Sequence, residues 1–85
     1  MREFNFTVTD SLGLHARPAG IIVKESGKYS SKINVIHNGK IADAKRIFSV
    51  MGLMAQHGDT VTVRIQGEDE EKASERIEKV FQTYL

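Results

Sequence analysis

The sequence contains no cysteine, which excludes both a disulfide framework and a thiolate metal site. It also lacks a charge of one sign. Its 12 Lys and Arg stand against 11 Asp and Glu, a net charge of +1. Nucleic-acid binding driven by bulk charge needs a basic stripe, so that class is set aside. No apolar run approaches the roughly 20 residues of a membrane span. The opening Met1-Arg2-Glu3-Phe4 lacks the apolar core of a signal peptide. Internal repeats, low-complexity segments and linkers are missing. The 85 residues suffice for one core layer and one domain, residues 1–85. The class expected from these absences is a cytoplasmic domain without cofactors and without insertion into a membrane.

What remains is strongly patterned. Residues 3–9 alternate, with Phe4, Phe6 and Val8 on one face and Asn5, Thr7 and Thr9 on the other, which predicts a half-buried strand. The loop Asp10-Ser11-Leu12-Gly13 leads into a helix from Ala16 to about Gly27, where the glycine suits a C-terminal stop. Lys32 to His37 reads as a second strand. Asn38-Gly39 is a two-residue hairpin signal, because both residues tolerate positive φ, and Lys40 to Asp43 returns. Lys45 to Ala55 carries too many apolar residues for one helical face. Thr60 to Gln66 alternates as a strand. Asp69 is a candidate helix N-cap, followed by Glu70 and Glu71 at the positive end of the dipole. Ala73, Ile77, Val80, Phe81 and Tyr84 then mark one face of a last helix. The order β-α-β-β-α-β-α predicts an α+β domain in two layers, with helices on one side of an antiparallel sheet.

The single proline of the chain stands in Gly13-Leu14-His15-Ala16-Arg17-Pro18-Ala19. Proline fits the first turn of a helix, where its missing N–H has no intrahelical partner. His15 thus falls at a strand-to-helix junction, beside free backbone N–H groups, the positive end of a dipole and the Arg17 guanidinium. These groups disfavour an imidazolium and would stabilise a phosphoryl group on the ring. No Asp or Glu reads as an orienting partner near His15 in sequence, which favours a phosphoryl relay over hydrolysis. A histidine at a helix start is more ordinarily a capping or surface residue, and on the residues alone both readings stand.

No other cluster competes. His37 and His57 lie in or beside turns, and no helical pair of histidines offers a metal site. Glu68-Asp69-Glu70-Glu71 lacks the ligand spacing of a calcium loop and reads as a solvated helix start.

Gly13 to Ala19 resembles the active-site signature of the HPr family, the histidine-containing phosphocarriers of the bacterial sugar phosphotransferase system. The resemblance covers essentially the whole chain. Asn38-Gly39-Lys40 is similar to the family's hairpin. Ala44-Lys45 through Met51, with Leu53 and Gly58, is similar to its second helix and the turn beyond. Gly67-Glu68-Asp69-Glu70 is similar to the start of its last helix.

The resemblance implies an open-faced β-sandwich of four antiparallel strands with three helices on one side. It implies that enzyme I, phosphorylated from phosphoenolpyruvate, passes a phosphoryl group to Nδ1 of His15, and that IIA domains of sugar permeases receive it. Arg17 would contact the group, and the backbone N–H groups of Ala16 and Arg17 would help to hold it. Gly20, Ile21, Lys24, Ile47, Phe48 and Met51 match the family's docking patch. The cycle runs through a phosphohistidine without independent turnover, so the label of enzyme stays open. The expected state is a monomer, with regulatory proteins as possible further partners.

Arg46 departs from the family pattern. Many members from low-GC Gram-positive bacteria carry there a serine that a kinase phosphorylates; this chain has no regulatory serine at that position, and Ser49 does not inherit the role. Leu12 stands where relatives are often polar, and Gly20 stands where a larger small residue is common. The competing reading is a regulatory paralogue of the same fold, serving a nitrogen-type phosphorelay or read mainly by protein partners.

Overall fold

The computed structural model describes residues 1–85, with elements in the order β1 (Arg2–Thr7), α1 (Ala16–Ser26), β2 (Lys32–His37), β3 (Lys40–Asp43), α2 (Ile47–Met51), β4 (Thr60–Gln66) and α3 (Glu70–Tyr84). The four strands form one antiparallel sheet in the order β1-β4-β2-β3. Every strand alternates in side-chain direction, so one sheet face is apolar and takes the helices. Ile33 and Val35 of β2 and Val61, Val63 and Ile65 of β4 are fully buried there. Ile22 of α1 and Ile77 and Phe81 of α3 close the core from the helical layer. Phe4 and Phe6 meet the Phe81 ring edge-on, at centroid distances of 5.7 and 5.6 Å. The opposite face is mainly polar, apart from the paired Ile36 and Ile41: Thr62 donates to Asn5 at 2.8 Å and Arg64 pairs with Glu3 at 2.6 Å. This is the two-layer α+β arrangement that the strand and helix periods predict, and the open-faced sandwich of four strands and three helices that the resemblance implies.

The ends of elements differ from the expectation for identifiable reasons. β1 stops at Thr7 because Val8 N–H goes to Asp59 O and Thr9 N–H goes to Leu85 O, leaving the ladder. Gly27 caps α1, yet with an ordinary right-handed backbone (φ −64°); its N–H returns to Val23 O. Asp69 precedes α3 but does not cap it with its side chain. Its carboxylate accepts instead from Ser30 N–H and Ser31 N–H, both at 2.9 Å, and from the Ser31 hydroxyl, clamping the α1–β2 loop onto α3. The Ser31 hydroxyl, followed by the backbone N–H of Ser30, pulls the Asp69 carboxyl down to about 2. Tyr84 keeps the helical period but is half-exposed rather than buried.

The largest difference is α2. Of the apolar segment Lys45 to Ala55 only Ile47–Met51 is helical, and an irregular run follows in which Met54 takes a positive φ of 53°. That change resolves the excess of apolar residues. Val50 points inward from the helix, Leu53 and Ala55 are buried from the irregular run, and Phe48 and Met54 are left outside. His37 ends β2 beside the Asn38-Gly39 turn, as its place in the sequence predicts, and is buried there. It contacts Leu53 O through Nδ1 at 2.9 Å and Asp59 Oδ2 through Nε2 at 3.0 Å, which ties the irregular run to the sheet. No helix is long and apolar enough to cross a membrane.

Candidate functional site

The loop from Val8 to His15 is held at three points before α1 begins. The Leu85 backbone oxygen accepts from Thr9 N–H at 2.6 Å, Asp10 N–H at 2.7 Å and the Thr9 hydroxyl at 2.8 Å. Gly13 N–H closes a turn onto Asp10 O at 2.9 Å, and Leu14 N–H donates to Ala55 O at 2.8 Å. Gly13 has a φ of +69°, and a Cβ there would lie 2.5 Å from Ala55 O, so the close approach of the loop to the run at Ala55 requires glycine. Buried Leu14 anchors the end of the loop, and the chain enters α1 at the next residue.

His15 is the N-cap of α1, with extended backbone and no side-chain cap. It therefore stands just outside the first turn rather than in it. The N–H groups of Ala16 and Arg17 find no acceptor within the chain, and Pro18, at the third helical position, has none to offer. Both free donors sit at the positive end of the α1 dipole. Arg17 is exposed and takes part in none of the ion pairs. Asp10, Leu12, His15, Arg17, Pro18, Ile21 and Tyr84 line an open depression of about 260 Å³. It can admit a small anion with the imidazole at its wall.

The expectation that no carboxylate orients His15 is corrected by the fold. Asp10, five residues upstream, is folded back so that Oδ2 lies 3.4 Å from His15 Nε2. Its Oδ1 accepts Leu12 N–H at 2.8 Å. The Leu12 N–H is the main cause, and the His15 ring a smaller one, of an Asp10 carboxyl held below its ordinary range. A local signal existed: an Asp two residues before an N–H that it can accept, in a glycine-ended loop, is an Asx turn. Tyr84 had no such signal, because only the docking of α3 brings it to the depression.

The remaining predicted positions form one surface. α1 and α2 pack side by side; a Cβ on Gly20 would lie 3.8 Å from Ile47 Cδ1. Gly20, Ile21, Ile47 and Met51 are partly buried, Lys24 is exposed, and Phe48 is 85 % exposed. Ile21 belongs both to this surface and to the wall of the His15 depression, so the two are continuous. Arg46 is exposed at the N-cap of α2.

Residues 2–83 match the family model described as the PTS HPr component phosphorylation site. The chain is 38% identical over 81 residues to phosphocarrier protein HPr of Mycoplasma capricolum, covering 95% of this chain and 91% of that one. An HPr crystal structure from Thermoanaerobacter tengcongensis superposes with a TM-score of 0.92 at 34% identity, over 98% of this chain and 93% of the other. Crh of Bacillus subtilis, a catabolite repression containing protein crystallised as a dimer with a swapped domain, superposes with a TM-score of 0.78 at 34% identity, over 100% and 98%.

Proposed function

The chain belongs to the HPr family of phosphocarriers, and on that basis we propose that His15 takes a phosphoryl group from phosphorylated enzyme I and passes it to IIA domains of sugar permeases. The observation that carries the reading is the junction itself: a histidine at a helix N-cap, beside two unpartnered backbone N–H groups and an unpaired arginine. In loading, the His15 Nδ1 lone pair forms a bond to phosphorus while the donor–phosphorus bond breaks, its electron pair leaving on the donor. Ala16 N–H, Arg17 N–H and the Arg17 guanidinium then face the added negative charge. The N–P bond is labile, which suits a group held only to be passed on.

The surface formed by Gly20, Ile21, Lys24, Ile47, Phe48 and Met51 would dock the partners. An exposed phenylalanine beside a methionine fits a surface that accepts more than one protein. The protein works in the cytoplasm as a monomer. Arg46 leaves the kinase-controlled serine out of this scheme. The likeness to Crh keeps a regulatory paralogue as the second reading, and the complete His15 arrangement favours the carrier.

The test is direct. Incubation with enzyme I and phosphoenolpyruvate should add one phosphoryl group by intact mass, labile to acid and stable to alkali, and His15→Ala should add none. A wild-type chain that stays unmodified, or a His15→Ala chain that is still loaded, refutes the reading. Arg17→Ala should slow loading without loss of fold, and an unchanged rate removes Arg17 from the mechanism.

A further inference from the structure

We propose that Asp10 is a positioning residue for this transfer: it keeps the His15 ring proton on Nε2, so that Nδ1 presents a bare lone pair to phosphorus. The inference rests on the carrier reading and names what orients its nucleophile. A carboxylate offers only acceptors, so the ring atom that faces it is satisfied only as N–H. Asp10 Oδ2 faces Nε2 at 3.4 Å. A neutral imidazole has one such proton; held on Nε2, it is absent from Nδ1.

The carboxylate cannot readily turn away, because its surroundings hold it from both sides. Leu12 N–H claims Oδ1 at 2.8 Å, Asp10 N–H is bound to Leu85 O at 2.7 Å, and Asp10 O accepts Gly13 N–H at 2.9 Å. Leu85, just beyond α3, thus helps to fix the residue that addresses the nucleophile.

The charge balance gives Asp10 a second part. When Nδ1 attacks, the ring keeps its Nε2 proton, gains the bond to phosphorus and becomes cationic. No proton needs to leave. The carboxylate already faces the atom that bears the new positive charge, and a contact that is long beside a neutral ring becomes charge-assisted beside a cationic one. An interaction that strengthens as the bond forms lowers the barrier rather than merely binding the unloaded site.

Two variants separate this from a loop-building role. In Asp10→Asn, Leu12 N–H still selects the carbonyl oxygen, which turns the amide NH₂ toward Nε2. A donor there favours a bare Nε2 and drives the proton to Nδ1. In Asp10→Ala the preference is only lost. The expected order of loading is therefore wild type, then Asp10→Ala, then Asp10→Asn, with the asparagine variant slowed about tenfold or more. Simple loss of the turn predicts the reverse order, since asparagine preserves the Leu12 contact.

The tautomer is read on the free protein, without any partner, from long-range ¹H–¹⁵N spectra of the ring. Wild type should show protonated Nε2 and bare Nδ1, and Asp10→Asn should show the proton moved to Nδ1. A wild-type ring protonated on Nδ1, or an Asp10→Asn ring with unchanged shifts, overturns the inference. So does an Asp10→Asn chain that loads as fast as wild type. A wild-type chain that takes no phosphoryl group, while Asp10→Asn still moves the proton, overturns the carrier reading and leaves the control of the tautomer standing.

Discussion

Replacing Gly20 by alanine should stabilise the protein. Gly20 lies inside α1 with ordinary helical backbone, and a Cβ built there meets only Ile47 Cδ1, at the van der Waals distance of 3.8 Å. Glycine costs about 0.8–1.0 kcal/mol relative to alanine in a helix interior, mostly because the unfolded chain is freer. The new methyl group, seated between α1 and α2, adds a few tenths at roughly 25 cal/mol per Å² of apolar surface removed from water. The expected gain is about 1 kcal/mol, which for a domain of this size raises Tm by about 4–8 °C. Urea unfolding followed by far-ultraviolet circular dichroism should show a higher midpoint with an unchanged slope. A midpoint that falls or does not move refutes the argument, and would mean that α1 and α2 cannot accept a methyl group between them. Loading by enzyme I should be measured on the same variant. Gained stability with slowed loading would show that the glycine serves the approach of partners rather than the helix.

Gly67→Ala should act in the opposite direction. Gly67 has a φ of +154°, and a Cβ there would lie 2.6 Å from Ser31 Oγ and 2.7 Å from Ser31 Cα. Backbone strain and the clash together predict a loss of about 2–4 kcal/mol, read as a lower urea midpoint. Asp69 should contribute to acid sensitivity. Its carboxyl is lowered from 3.8 to about 2, so the stabilisation is complete above the ordinary value and is lost as pH falls through about 2. Asp69→Asn should be less stable at neutral pH and should lose less stability than wild type between pH 4 and 2; parallel urea midpoints across that window would contradict this. Phe48→Ala should leave stability within about 0.5 kcal/mol, since the ring is 85 % exposed, while raising the KM for the carrier in loading by enzyme I.

Local rules made much of the fold legible. β4 alternates without interruption, and Asn38-Gly39 supplies the two positive φ values, 48° and 78°, that join β2 to β3. The face of α3 through Ala73, Ile77, Val80 and Phe81 is buried as its spacing predicts. α2 was harder to read because its apolar residues serve two kinds of backbone. Val50 buries from a helix, whereas Leu53 and Ala55 bury from an irregular run fixed by His37, and periodicity sees no such boundary. The site was legible at His15, Arg17 and Pro18, where dipole and sequence adjoin. Asp10 carries the local signal of an Asx turn, but its approach to the His15 ring shows only once that turn has folded the chain back. Asp69 stands at the N-cap position that its sequence predicts, but tertiary contact gives its carboxylate to Ser30 and Ser31 in another loop.

The strand order carries a consequence for how the molecule is made. β1 is synthesised first, yet its one neighbour in the sheet is β4, with Phe4 opposite Val63. Until the ribosome has released most of the chain, β1 has no ladder to join, and its two phenylalanines have no Phe81 to rest on. Only the β2–β3 hairpin can close early. A nascent chain stalled before β4 should therefore stay open to protease at its beginning, and release of the final third should protect both ends together. The junction that presents His15 lies between these ends, so it takes shape only when the last segment arrives.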